Sequence, residues 1–272
     1  MQLVVDVGNT ETVVGLASGR TELLADWRVS SSVPRTGDEM TALIRAFLTG
    51  EGFGDTEIER GVVGSVVPSV NRVWTKTLTA LTKGEVVSVG PASALPIRLD
   101  VEEPMSVGAD RIVNTLAACE MYGRDTIAVD LGTATTFDCI TADGVFLGGV
   151  ISPGLGSGLD WLASRTAKLP TVELRPPELV IGRRTETCIQ SGVFYQAIEA
   201  VDGIVRRIKE EWGRPDAFVV ATGGFANAIG PHLATVDEVE PFLTLYGLAM
   251  AGEHLAGRSG SSSVGVTSGQ EG

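Results

Sequence analysis

Two short runs carry residue types suited to chemistry on a charged, oxygen-rich substrate. Near the N-terminus Leu3-Val4-Val5 runs into Asp6-Val7-Gly8-Asn9-Thr10, and near the middle Ile127-Ala128-Val129 runs into Asp130-Leu131-Gly132-Thr133-Ala134-Thr135-Thr136. Each is an apolar strand that delivers an Asp to a glycine turn, with threonine close behind. Backbone N–H groups, hydroxyls and an Asn amide gathered in such a turn can hold phosphate oxygens. An Asp there, which would repel bare phosphate, makes sense beside a cation. One copy alone reads more simply as a hairpin turn, since Gly, Asn and Asp dominate turns. Two copies in matching surroundings suggest two similar lobes facing one site. Between them lies Glu102-Glu103-Pro104-Met105-Ser106-Val107-Gly108-Ala109-Asp110-Arg111. Its Asp110 reads either as a helix N-cap or as a functional carboxylate.

The elements that must position these residues follow from periodicity. Residues 2–7, 11–17 and 21–29 read as a three-strand meander. Thr36-Gly37-Asp38-Glu39 has capping-box spacing, and Met40, Leu43, Ile44, Phe47 and Leu48 follow a one-sided helical period. Residues 61–67 read as a buried strand. Pro68 is expected in the first turn of a helix carrying Val70, Trp74, Leu78 and Leu81, ahead of a strand at 85–89. The order then repeats, with strands near 126–131, 135–141 and 145–151, a tight turn at Asp143-Gly144 and helical spacing at Leu159, Leu162 and Ala163. A helix over 185–212 carries Ile189, Val193, Ile198, Val201, Val205 and Ile208 as a stripe that reads as core and also permits a dimer seam. A strand at 217–221 ends in the glycine turn Thr222-Gly223-Gly224, and Leu243, Leu245 and Leu248 mark a final helix. The expected division is an N-terminal lobe over 1–100, a C-terminal lobe over 101–256 and a flexible Gly/Ser tail over 257–272.

Composition excludes several classes. Thirty-four acidic against 21 basic residues give a net charge of −13, which would repel a polynucleotide backbone. The same charge opposes ATP at long range, so a nucleotide site here must rely on local donors and a counter-cation. Cys119, Cys139 and Cys188 are far apart and lack Cys-x-x-Cys pairing, so they read as small buried residues. Neither His232 nor His254 has a metal partner in sequence. No apolar run approaches the roughly 20 residues that span a bilayer, and the opening residues lack the charged start and apolar block of a signal peptide, so no membrane role and a cytoplasmic location are expected.

Taken together, Asp6 to Thr10, Gly108 to Arg111, Asp130 to Asp138, Gly148-Gly149-Val150-Ile151-Ser152-Pro153-Gly154, Ile181-Gly182-Arg183-Arg184-Thr185, Thr222-Gly223-Gly224 and Leu243 to Leu248 resemble, in order and spacing, the motifs of the type III pantothenate kinases. The resemblance covers nearly everything before the tail. It implies an α/β protein of the actin, sugar-kinase and Hsp70-like superfamily. Two duplicated ribonuclease H-like lobes, each a mixed sheet with flanking helices, would enclose an active site in the cleft between them. The implied reaction is ATP-dependent phosphorylation of pantothenate to 4′-phosphopantothenate, the first step of coenzyme A biosynthesis. The resemblance places the ATP phosphates on Asp6, Val7, Gly8, Asn9, Thr10, Glu11, Thr12 and Val13, with Thr133 from the other lobe. It makes Asp130 the ligand of a monovalent cation, K⁺ or NH₄⁺, with Mg²⁺ arriving on ATP, and Asp110 the catalytic base. Pantothenate would lie on Val101, Gly108, Ala109, Asp110 and Arg111, with Thr185 supplied by the partner of a homodimer. One departure stands out: where the family usually has Tyr-x-Asn-Pro, this chain has Val101-Glu102-Glu103-Pro104, so the aromatic contact is replaced by Val101 and the Asn by Glu103. The alternatives are a kinase of the same fold acting on another small alcohol, and a non-catalytic nucleotide-binding regulator.

Overall fold

A computed structural model describes residues 1–165 and 169–259. The chain opens with the antiparallel meander β1 (Gln2–Val7), β2 (Glu11–Ala17) and β3 (Leu23–Ser30). Helix α1 (Gly37–Gly50) carries the expected capping box: Glu39 N–H donates to Thr36 Oγ1 at 3.3 Å, and Thr36 N–H donates to Glu39 Oε2 at 2.7 Å. Strand β4 (Arg60–Ser65) then lies parallel to β1 on its other side. It stops two residues short of the expected 61–67, because Val67 N–H turns back onto Ser65 Oγ at 3.1 Å. Pro68 sits in a 3-10 turn just ahead of α2 (Asn71–Leu81) rather than in its first turn, and β5 (Val86–Val89) completes a sheet of order β3-β2-β1-β4-β5.

The second sheet repeats that order. Strand β6 (Arg98–Leu99) precedes the connecting helix α3 (Ala109–Tyr122). The meander β7 (Thr126–Leu131), β8 (Ala134–Ile140) and β9 (Val145–Pro153) follows, then α4 (Leu155–Arg165) and α5 (Thr185–Trp212). Strand β10 (Phe218–Thr222) is parallel to β7, and α6 (Ala226–Ile229) leads to β11 (Glu238–Val239), parallel to β10. The sheet order is β11-β10-β7-β8-β9-β6, so β7 to β11 reproduce the arrangement of β1 to β5, with β6 added at the β9 edge. The last helix is α7 (Leu243–Ser259). The helix continues to Ser259, past the start expected for the tail at 257; the rest of that expected tail, residues 260–272, lies outside the described residues.

Core packing explains the layering. The central strand β1 is buried on both faces: Leu3, Val5 and Val7 pack with Met40 and Ile44 of α1 and Trp74 and Leu78 of α2, while Val4 faces the other way. Val4 and Val62 share a core with Ile112, Val113 and Leu116 of α3, with Leu245 and Leu248 of α7, and with Ala128 and Val220 of the second sheet. Thus α3 and α7 are sandwiched between the two sheets. Gly247 lets them touch, since a Cβ there would stand 2.1 Å from the Val113 carbonyl oxygen. The far face of the second sheet packs Ile127, Val129, Leu131 and Phe137 on α5. On α5 the buried stripe is Ile189, Phe194, Ile198, Val201 and Val205; Val193, expected in it, instead lines a cavity of about 120 Å³ between β8, β9, α4 and α5.

Candidate active site

The two glycine turns close the ends of the two central strands. Asp6 of β1 sits between Val13 of β2 and Gly64 of β4, and Asp130 of β7 sits between Thr136 of β8 and Thr222 of β10, the same place in the duplicated register. In both turns the glycine N–H donates to a carbonyl beyond it, in the first three residues on and in the second two: Gly8 N–H to the Glu11 carbonyl, and Gly132 N–H to the Ala134 carbonyl, each at 3.1 Å. The threonines differ in offset, Thr10 two residues after its glycine and Thr133 one after its own. That offset lets the lobes meet, because Thr133 Oγ1 donates to Thr10 Oγ1 at 3.0 Å.

Helix α3 brings the third carboxylate. Its N-cap is Gly108, with φ −62° and ψ 149°, so Asp110 occupies the second helical position and is not the N-cap. Its Oδ1 accepts from the Arg111 N–H at 2.8 Å, an arrangement that the helix N-terminus favours. A side chain at 108 would collide with that carboxylate, since a Cβ would lie 2.4 Å from Asp110 Oδ1. Burial pushes the Asp110 carboxyl up from its ordinary value, against the lowering pull of the Arg111 N–H and guanidinium. Asp110 in turn acts on both strand-end carboxylates. Burial first, then the charges of Asp110 and Asp130, push Asp6 up to about 8, opposed by Arg28. Burial first, then Asp110 and Asp138, push Asp130 up to about 7.

Crowded carboxylates with raised pKa values are a site short of positive charge, and that is how the residues fit a cation. Among the described residues no three His, Cys, Asp or Glu side chains converge as a ready-made metal cage. A cation here would therefore draw further ligands from backbone carbonyls, water or phosphate oxygens, as Mg²⁺ on a nucleotide does. Gly223, with φ +92°, packs on Asp130: a Cβ there would stand 2.2 Å from its Oδ1. The expected glycine turn after β10 is thus pressed against the floor of the cleft.

Arg111 is held from two sides. Its Nε donates to Asp138 Oδ1 at 2.6 Å, and its guanidinium carbon lies 4.9 Å from the Phe146 ring centroid. Asp138 is 0% exposed, and its Oδ2, like Arg111 Nη2, has no hydrogen-bond partner. Burial raises the Asp138 carboxyl while Arg111 draws it back down. Within the motif Asp130 to Asp138 the sequence assigns Asp138 no role; the signal it does carry is a carboxylate eight residues after Asp130, on the neighbouring strand. Gly154 was likewise unassigned, yet a Cβ there would stand 2.4 Å and 2.3 Å from the carbonyl oxygens of Gly132 and Thr133.

The remaining sequence candidates fall on the periphery. Val101 is half-buried against the core between the sheets and shares an open hollow with Asp100, Glu102 and Leu147. Glu103 is exposed and accepts from Ser106 Oγ at 3.3 Å, a local contact within its own turn. Thr185 is exposed in the first turn of α5. Among the described residues no helix is long and apolar enough to cross a membrane.

The chain matches the family model of the type III pantothenate kinases over residues 2–207. It is 45% identical over 255 residues to the type III pantothenate kinase of Moorella thermoacetica, covering 93% of this chain and 99% of that one. It is 42% identical over 254 residues to the type III pantothenate kinase of Frankia alni, covering 93% and 99%. Among solved structures, the ethanolamine utilization protein EutJ from Carboxydothermus hydrogenoformans superposes with a TM-score of 0.56 at 16% identity, over 92% of this chain and 89% of that one. A ROK family glucokinase from Streptomyces griseus, in complex with glucose and AMPPNP, does so with a TM-score of 0.53 at 12% identity, over 94% and 99%. At such identities the two structures speak for the two-lobed fold alone, whereas the relatives match in sequence along almost the whole chain. This chain belongs to the type III pantothenate kinase family.

Proposed function

We propose that the protein transfers the γ-phosphoryl group of ATP to the 4′-hydroxyl of pantothenate. The observation that carries this reading is the meeting of two phosphate-type turns, Thr133 on Thr10 at 3.0 Å, with Asp110 in electrostatic reach of both strand-end carboxylates. Asp6 to Val13 and Thr133 hold the phosphates, chiefly through turn N–H groups and hydroxyls. Gly108, Ala109 and Arg111 line the acceptor side, and the guanidinium binds an anionic or carbonyl oxygen of pantothenate by charge-assisted hydrogen bonds. Asp110 orients the hydroxyl in line with the γ-phosphorus. The hydroxyl oxygen forms the new P–O bond, the bond to the β-phosphate oxygen breaks, ADP leaves and the proton passes to the Asp110 carboxylate. In a loose phosphoryl-transfer transition state alignment matters more than prior deprotonation, and burial, which raises the Asp110 carboxyl above its ordinary value, makes it a better proton acceptor than a free carboxylate. Asp130 holds K⁺ or NH₄⁺ and Mg²⁺ accompanies ATP; these cations would offset the excess of negative charge on the cleft floor.

The same reading makes the protein a homodimer. Ile151 (65% exposed), Trp161 (61%), Leu179, Val180 and Ile181 (82%) lie on segments running from β9 to the approach to α5. Such a collection of exposed apolar side chains is what an interface covers. Thr185, just beyond it, would then reach the partner's acceptor site. Val101 in place of an aromatic removes one phenol hydrogen bond, about 1 kcal/mol, which raises KM without abolishing turnover. The test is ADP release with pantothenate, with and without K⁺ or NH₄⁺. Pantothenate-dependent release that disappears without the cation is expected. Turnover on another alcohol but not on pantothenate would overturn the substrate, and cation-independent turnover would overturn the role of Asp130.

A further inference from the structure

The cleft is crowded with carboxylates, yet the proposed occupant is a polyanion, so binding depends on the cationic side chains near the turns. Two arginines act on these carboxylates: Arg111 and Arg28. Arg111 belongs to the acceptor side, with its Nε on Asp138 and its face on Phe146. Arg28 is in a different position. It lies on β3 opposite Val13 of β2, and Val13 packs toward the core between the two sheets, so the pair belongs to the sheet face that looks across to the second lobe. Its Nη1 is 3.4 Å from Glu11 Oε2, at the edge of the first turn. The same Nη1 is 3.7 Å from where a Cβ would stand on Gly224, in the glycine turn of the opposite lobe. Its charge also lowers the pKa of Asp6. One guanidinium therefore borders the first phosphate-type turn, the Asp at its base and the glycine turn across the cleft.

Resting on the kinase reading, we propose that Arg28 is a phosphate-binding residue of the nucleotide site, gripping a nucleoside polyphosphate between the Gly8 turn and Gly224. Its present partner is a weak competitor. The Arg28 and Glu11 side chains are 42% and 56% exposed, and ion pairs that open to water contribute little. A phosphate offers the planar guanidinium two oxygens at once, a geometry that an ammonium does not match. Gly224 leaves the approach to the guanidinium free of side-chain atoms. With ATP bound, Arg28 would exchange Glu11 for phosphate oxygens and tie the first lobe to a nucleotide seated on the second.

The test compares Arg28→Gln and Arg28→Lys with the unaltered full chain, measuring Kd for ATP, ADP and adenosine by titration calorimetry and KM for both substrates. Arg28→Gln is expected to weaken ATP and ADP by about tenfold or more, the equivalent of one charge-assisted contact, while adenosine changes less than about twofold and the pantothenate KM holds. Arg28→Lys recovers part of the loss, because it restores the charge without the fork. Equal weakening of adenosine and ATP would mean that Arg28 only shapes the cleft, and unchanged ATP affinity would remove it from the site; either overturns the proposal, as does a wild-type chain that binds no ATP. A chain that binds ATP in an Arg28-dependent way yet fails to phosphorylate pantothenate would keep Arg28 and overturn only the acceptor.

Discussion

Replacing Asp138 by Asn tests whether a residue remote from the phosphates sets the acceptor affinity. The carboxylate is 0% exposed and lies 2.6 Å from Arg111 Nε, whose side chain is 16% exposed and stacked on Phe146. Asn keeps the shape and an acceptor oxygen but removes the charge. A hydrogen bond to a charged group is worth about 1.5–3 kcal/mol, whereas truncation that strands a buried partner costs about 3–5 kcal/mol, which is why Asn is preferred to Ala here. If the lost energy appears as misorientation of Arg111, then at about 1.4 kcal/mol per tenfold it lowers kcat/KM for pantothenate roughly 10- to 100-fold. The loss should fall mainly on the pantothenate KM, because the hydrogen bond removed is the one to Arg111, with a smaller change in the ATP KM through the charge that Asp138 exerts on Asp130. Steady-state kinetics of Asp138→Asn, Arg111→Gln and the double variant decide the matter. A positioning residue that works through Arg111 adds nothing once Arg111 is gone, so the double variant should match Arg111→Gln. Additive losses, or a single variant with pantothenate KM within twofold of wild type, would refute the reasoning.

Three further outcomes follow from the same geometry. Asp110→Asn is expected to lower kcat by roughly 10²- to 10⁴-fold with little change in ATP affinity, the usual range for a positioned acid–base group; near-wild-type turnover would leave Asp110 a helix-terminus residue only. In the ligand-free protein, Asp6 and Asp130 hold protons up to about pH 8 and 7, whereas both ionise near the ordinary 3.8 when unfolded. Between about pH 4 and 8 the folded state therefore binds more protons than the unfolded, and stability falls as pH rises. Thermal melts should show a decreasing midpoint from pH 5 to 8 that is shallower in Asp6→Asn, and a midpoint that climbs over this range in both proteins would contradict the burial, reinforced by neighbouring carboxylates, that raises these two groups. Gly223→Ala forces a Cβ to within 2.2 Å of Asp130 Oδ1 at φ +92°, so a loss of roughly 1–3 kcal/mol of stability together with weakened nucleotide binding is expected, measured by denaturant melts and calorimetry.

Local sequence sufficed wherever a pattern has a local cause. The meanders, the capping box at Thr36 and Glu39, the length of α5 and the two Asp-Gly turns are set by neighbours within a few positions, and they were legible as such. Boundaries moved where a side chain turned the backbone, as Ser65 does at the end of β4. Periodicity shows that a face is apolar but not what covers it. It therefore placed Val193 in a core stripe whose place is taken by Phe194, and it could not reveal that α3 and α7 lie between the sheets. The resemblance to a family allotted roles to Asp110, Arg111 and Asp130 one residue at a time. Only the tertiary structure brought Thr10 to Thr133, set Asp110 within reach of both strand-end carboxylates, joined Asp138 to Arg111 and laid Arg28 against Gly224. Each of these pairs joins residues far apart in the chain, and their distances depend on how two sheets pack on a shared pair of helices. Sequence thus determined the parts and the chemistry each can do, while packing between the lobes decided which of them share one cleft.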